Sequence, residues 1–245
     1  MRTQIGMVFL LLGTIGAYAA YSQDQSNSSN FTTQFQAVKY ADFASSNGSI
    51  LDPAKATPNV TEIGTPHLKI ERTDKEGYSV VRLPKHGVIL NIPFGWASKG
   101  GFATMERIDF FPATSAEEVR KAYMNPPLID LGLKVLDSSE LGDFHGVLSE
   151  VQKITSQVGE ITTDIDEQHH AFLIKIDKIN KPNLPQPSSS YMLYMQSPNP
   201  NSHVWVKIDI RAPRANFQKY AGLLGLVYND IQIKWPELEA LRRTR

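Results

Sequence analysis

Between His203 and Tyr228 the spacing of apolar residues changes from two to three and four, and no other feature restricts the fold as much. Val204, Val206, Ile208 and Ile210 alternate with His203, Trp205, Lys207, Asp209 and Arg211. Successive side chains of a strand point to opposite faces, so this run predicts a strand with one dry and one wetter face. Immediately afterwards Phe217, Tyr220, Ala221, Leu224 and Val227 recur at helical spacing, with Leu223 widening the stripe. That pattern predicts a helix over Arg214 to Tyr228, laid on a core. Tyr191 to Gln196 and the turn residues Ser197-Pro198-Asn199-Pro200-Asn201-Ser202 complete a hairpin with the alternating strand.

Upstream, short strand-like runs follow one another between turn signals. They are His67 to Arg72, Tyr78 to Leu83, Val88 to Ile92 and Phe102 to Phe111. Such spacing predicts antiparallel pairing in an α+β chain. Thr114 and Ser115 precede Glu117 and Glu118, a helix-start signature, and Asn125-Pro126-Pro127 ends that helix. His145 to Thr155, Gly159 to Thr163 and His170 to Asp177 read as further strands, and Lys181 to Ser188 as a proline-rich surface loop. Ile231 to Lys234 reads as a short closing strand, with Pro236 opening a last helical turn.

The ends of the chain carry different information. Arg2, an apolar run from Ile5 to Ile15 and the exit Ala17-Tyr18-Ala19-Ala20 have the form of a secretory signal cut after Ala19. The apolar run falls short of the roughly 20 residues that span a bilayer, so the mature chain is expected to be free of stable membrane insertion. From residue 20 to 66 the composition is Ser-, Asn- and Gln-rich, too poor in apolar surface to offset ordering entropy, and predicts a flexible spacer. Phe31, Phe35, Tyr40 and Phe43 are the exceptions, placed to dock on the domain or on a partner. A single domain is expected over 67–236, followed by a short basic tail over 237–245.

Composition then narrows the classes of function. The chain has no cysteine, so thiol chemistry and disulfide staples are excluded, and its 245 residues, 41% hydrophobic, suffice for a core without staples. An exported chain of this kind suits the periplasm or surface of a bacterium. Twenty-five basic and 25 acidic residues cancel, which argues against a nucleic-acid partner. Neither a phosphate-cradling glycine loop nor a Gly-x-Ser-x-Gly elbow is present, and no cofactor is expected.

Two groups of residues remain as candidate sites. Asp164, Asp166 and His169, in the polar run Glu160 to His170, have ligand chemistry for a divalent cation, while their setting is that of a solvated hairpin end. The wetter face of the His203 to Arg211 strand, with its adjoining loop, offers Trp205, His203, Lys207, Asn199 and Asn201 as a protein-binding surface. The alternative for Trp205 is burial beneath a flanking helix. A serine hydrolase would need a Ser/His/Asp set assembled from distant segments, for which His86, His145 and His203 are available.

The segment Val88-Ile89-Leu90-Asn91-Ile92-Pro93-Phe94-Gly95-Trp96, an apolar strand ending in Pro-x-x-Trp, resembles the second strand of PsbP-like α/β/α sandwich domains. The closing order of hairpin, amphipathic helix and Ile-rich strand is similar, and the resemblance spans residues 77 to 235. It implies a central antiparallel sheet flanked by helices, in exported or organelle proteins that mostly bind or assemble other proteins without catalysis. The expectation that follows is a non-catalytic binding or assembly protein of the bacterial cell envelope, with an immunity or inhibitor protein as its narrower form. The alternatives are a hydrolase with a dispersed site and a cation-binding module at Asp164 to His170.

Overall fold

The computed structural model describes residues 34–45, 71–83, 87–100, 107–138, 142–179 and 186–243. The signal-like segment at residues 1–19 and most of the 20–66 segment lie outside the described residues. Among the described residues no helix is long and apolar enough to cross a membrane.

Among the described residues, eleven strands form two antiparallel sheets. In the smaller, β1 (Glu71–Asp74), β2 (Tyr78–Leu83) and β3 (Val88–Pro93) pair in order, and β11 (Gln232–Ile233) joins the far side of β3. Phe94-Gly95, with Gly95 at φ 78°, then turns the chain out of this sheet into β4 (Trp96–Gly100). β4 is the edge of a seven-stranded sheet, which continues through β5 (Arg107–Pro112), β6 (Asp130–Asp137), β10 (Val204–Pro213), β9 (Ser188–Gln196), β8 (Ala171–Ile179) and β7 (Ile161–Asp166). The architecture is therefore α+β, a central antiparallel sheet with helices on both faces.

One face of the large sheet holds the main core. Val204, Val206, Ile208 and Ile210 of β10 pack there with Leu131, Leu133 and Val135 of β6 and with Leu193 and Met195 of β9. They are covered by α3 (Phe217–Asp230) and by Val81, Leu90 and Ile92 of the smaller sheet. A single 3-10 turn at Arg214–Asn216 leads into α3, whose Ala221, Leu223, Leu224 and Val227 are buried as their spacing predicts. On the opposite face two separate apolar clusters form, one under each of the remaining sheet-covering helices. α1 (Ala116–Met124) sets Val119 and Ala122 on Ala97 and Phe111. α2 (Phe144–Ser156) sets Val147 and Leu148 on Phe172, Ile174, Met192 and Trp205.

α2 corrects the strand expected from His145 to Thr155. Asp143 caps it, its Oδ1 accepting from Gly146 N at 2.9 Å, and Phe144, Val147, Leu148, Val151 and Thr155 recur at helical spacing. β6 and β4 were not expected as strands. β6 alternates Leu131, Leu133 and Val135 with Asp130, Gly132 and Lys134, a pattern masked by its charges and by the neighbouring Pro-Pro pair. Ser188, read as the end of the proline-rich loop, opens β9, where Ser188 to Ser190 are buried.

Residues 34–45, inside the segment expected as a spacer, dock on the domain through the aromatic residues singled out as its exceptions. Tyr40 and Phe43 are buried, and Trp96 Nε1 donates to the Phe43 carbonyl at 2.9 Å. The chain crosses α3 where Gly222 and Gly225 stand, and a Cβ at either would come within 2.5 Å of Gln36 O or the Phe35 ring. Aromatic anchors and a glycine-lined helix face thus overcome the polar composition of the segment. At the other end, the segment expected as a tail is helical: α4 (Trp235–Arg243) buries Leu238 and Glu239.

Candidate functional site

Between the two apolar clusters on the outer face of the large sheet lies a band of charged side chains. Strand register explains it. Lys207 pairs with Lys134, Asp209 with Gly132 and Arg211 with Asp130, and on the other side of β6 Arg107 and Asp109 stand opposite Lys134 and Gly132. Lys99 of β4 adjoins Asp109, and directly paired residues share a face. Arg107 is the hub: Nε lies 2.6 Å from Asp109 Oδ1 and Nη1 3.1 Å from Asp209 Oδ2. Lys207 Nζ reaches the same Asp209 oxygen at 3.0 Å and lies 5.7 Å from the Tyr194 ring centroid. Arg211 Nη2 joins Asp130 Oδ2 at 2.9 Å to the Pro127 carbonyl at 2.8 Å.

Gly132 makes this packing possible. A Cβ there would collide with Asp209 Oδ1 and the Arg107 guanidinium, so these side chains lie flat on the strand only because it carries no side chain. Pairing within the band is incomplete, since Asp209 Oδ1 and Arg211 Nε are buried without a hydrogen-bond partner among the described residues.

Electrostatics separates Asp209 from Asp130. Burial disfavours the Asp209 charge, but Lys207 and Arg107 outweigh it and hold this group well below the usual carboxylate range. Burial dominates at Asp130, where the Arg211 charge is opposed by Asp209 and Asp109, and the carboxyl is pushed up to about 7. Lys207 is raised: burial works against its charge, and Asp209 and the Tyr194 phenol more than offset that. Neighbouring acids driven apart in this way are a feature of functional sites as well as of structural ion networks.

Of the residues expected to bind a partner, Lys207 alone lies in the band. Trp205 is fully buried, so burial beneath a helix holds and a free interface anchor does not. Phe144 of α2 stacks on it at 5.8 Å, Phe172 meets it edge-on, and its Nε1 donates to Ser138 Oγ at 2.9 Å. Asn199 donates from Nδ2 to Glu239 of α4 at 2.9 Å, Ser197 also bonds that buried carboxylate, and Asn199 Oδ1 accepts from Asn201 N. The hairpin loop is therefore fastened by the C-terminal helix. His203 is exposed at the start of the strand, where its carbonyl accepts from Ser138.

Among the described residues the cation and triad sets are not seen assembled. Asp164 pairs with Lys175 across β7 and β8, while Asp166 takes His169 Nδ1 at 2.9 Å within the hairpin end. Among the described residues no three His, Asp or Glu side chains converge to hold a metal ion. His145 packs against Phe144, the Ser138 hydroxyl donates to the His203 backbone carbonyl, and His86 lies outside the described residues. Asp209 and Arg211 belong to the wetter strand face expected to bind, whereas the band residues Arg107, Asp109, Asp130, Gly132 and Lys134 were not foreseen as a site. Their signal is charge at alternate positions in three separate runs, 107/109, 130/134 and 207/209/211.

A seven-stranded antiparallel sheet with helices on both faces places the chain among α/β/α sandwich domains. Solved structures similar to it include cyanobacterial PsbP (CyanoP) from Synechocystis, in solution, at 11% identity and TM-score 0.39, covering 72% of this chain and 99% of that one. LpqN, involved in cell envelope biogenesis of Mycobacterium tuberculosis, is similar at 7% identity and TM-score 0.35, covering 70% and 87%. No protein-family model and no curated protein sequence matches the chain.

Proposed function

We propose that this chain is an exported, non-catalytic binding protein of the bacterial cell envelope, and that the charged band of the large sheet is its recognition surface. The observation that carries this reading is the interruption of an otherwise apolar sheet face by eight charged side chains with incomplete internal pairing. Replacing a buried ionic network by apolar residues is often neutral or stabilising, so stability alone gives little reason to keep one. The signal-like N-terminus and the absence of cysteine support the location. An immunity or inhibitor protein is a narrower form of the same reading.

Site-specific photocrosslinking in intact cells tests it. A photoreactive residue in place of Leu128, beside the band, should give a discrete protein adduct. The same residue in place of Gln218, on α3 and so on the other side of the sheet, should not. The adduct should disappear in Lys134→Glu. Equal labelling at both positions, or steady turnover of an ester, peptide or glycan by the purified protein, would defeat the proposal.

A further inference from the structure

The band has an apolar rim. On α2, Gln152 Nε2 donates to Thr163 Oγ1 of the edge strand β7 at 3.0 Å, which fixes the flank of the helix turned toward that edge. Ile154 stands two positions on, about 200° further around the helix, on the other flank. α2 packs on β7 and β8, with its Val147 and Leu148 in one apolar cluster with Met192 of β9 and Trp205 of β10, so β9 and β10 lie beyond the flank opposite Gln152; Ile154 is turned toward that side, where the band begins, and it is 53% exposed. At the opposite rim Leu128 is 43% exposed. It directly follows Pro127, whose carbonyl Arg211 holds, and lies two residues before Asp130. A charged floor between two exposed aliphatic side chains combines a polar recognition area with apolar anchors.

The floor is also biased in charge. Lys99, Arg107, Lys134, Lys207 and Arg211 stand against Asp109, Asp130 and Asp209, an excess of two positive charges in a chain whose 25 basic and 25 acidic residues otherwise cancel. Resting on the proposed function above, we infer that the band receives an acidic segment of a partner protein that also carries aliphatic side chains, its carboxylates over the basic floor and its apolar residues against Ile154 and Leu128. Complementary charge governs specificity and encounter more than raw affinity, and the rim supplies the desolvated contact. A lipid surface fits less well, because the band is recessed between two helices and Arg107, Asp109, Asp130, Lys207, Asp209 and Arg211 are only 12–22% exposed. Nucleic acid fits less well because three carboxylates are interleaved with the bases.

The test uses the mature protein and short fluorescent peptides of alternating Glu and Leu, alternating Lys and Leu, and alternating Glu and Ser. The Glu-Leu peptide should bind at least about tenfold more tightly than either other peptide, with affinity falling as salt is raised. Ile154→Asp, at an exposed position, should weaken binding about tenfold while the melting temperature stays put. Lys134→Glu should weaken it similarly and reduce the salt dependence. Equal affinity for the Lys-Leu peptide, no loss in Ile154→Asp, or stronger binding to anionic phospholipid vesicles than to the Glu-Leu peptide would overturn the inference. If crosslinks map to the band in cells yet the Glu-Leu peptide does not bind, the binding function stands and the acidic partner falls. If the peptide binds as expected but no crosslink forms, the acidic specificity stands and the cellular binding role falls.

Discussion

Replacing Trp205 by alanine separates a core residue from an interface anchor. The indole is fully buried, stacked on Phe144 at 5.8 Å, met edge-on by Phe172 at 5.7 Å and bonded through Nε1 to Ser138 Oγ. Truncating a buried tryptophan costs about 3–5 kcal/mol through lost transfer energy and the residual cavity. For a domain of this size each kcal/mol moves the melting temperature by about 2–4 °C, so Trp205→Ala should melt about 6–20 °C lower. Trp205→Phe keeps an aromatic ring against Phe144 and loses the indole hydrogen bond. Its penalty should be smaller, with about 1 kcal/mol due to that bond. Calorimetry or urea titration of both variants, with partner crosslinking measured in parallel, provides the assay. A Trp205→Ala protein that melts like the parent but no longer crosslinks would show that the ring faces a partner, and would refute the account of α2 as its cover.

Three further outcomes are expected. Asp130 holds its proton to about pH 7 in the folded state, against an ordinary value of 3.8. Its contribution to stability is therefore full below pH 4 and lost as pH rises through about 7, a difference of at most about 4 kcal/mol. Asp130→Asn should match the parent near pH 4 and gain on it by pH 8, as read by denaturant titration; an unchanged pH profile would place that carboxyl in water. Gly132→Ala should displace the Arg107–Asp209 pair at a cost of about 1–3 kcal/mol and weaken crosslinking at Leu128, and normal stability with normal crosslinking would mean the pair does not rest on this glycine. A chain beginning at residue 46 loses Tyr40, Phe43 and the acceptor of Trp96 Nε1, and should melt well below the chain beginning at Ala20, whereas a mere spacer would leave the melting temperature unchanged.

Where one face of an element is apolar throughout, its place was legible in the sequence. β10 and α3 are read from period alone, because one face of each is uniformly apolar and meets the main core. α1 is read from Ser115, whose Oγ accepts from Glu118 N at 3.2 Å, and from the prolines after it. β6 escaped because Asp130, Gly132 and Lys134 break its apolar run, and those residues make sense only beside Arg107, Asp209 and Arg211, far away in sequence. α2 escaped because its β-branched residues suit a strand equally well, and the packing of Val147 and Leu148 on Phe172 and Trp205 decides for helix.

The sequence by itself determined that the chain is α+β, that it folds without disulfides, and that one strand carries a wetter face, since composition and short-range period are local properties. Only the tertiary structure decided what that face does. Trp205 and Lys207 sit on the same side of the same strand, two residues apart, and nothing local distinguishes their fates. α2 covers the first and leaves the second in an ion network assembled from β5, β6 and β10. Burial depends on which helix crosses which strand, and that is fixed by contacts between residues remote in the chain.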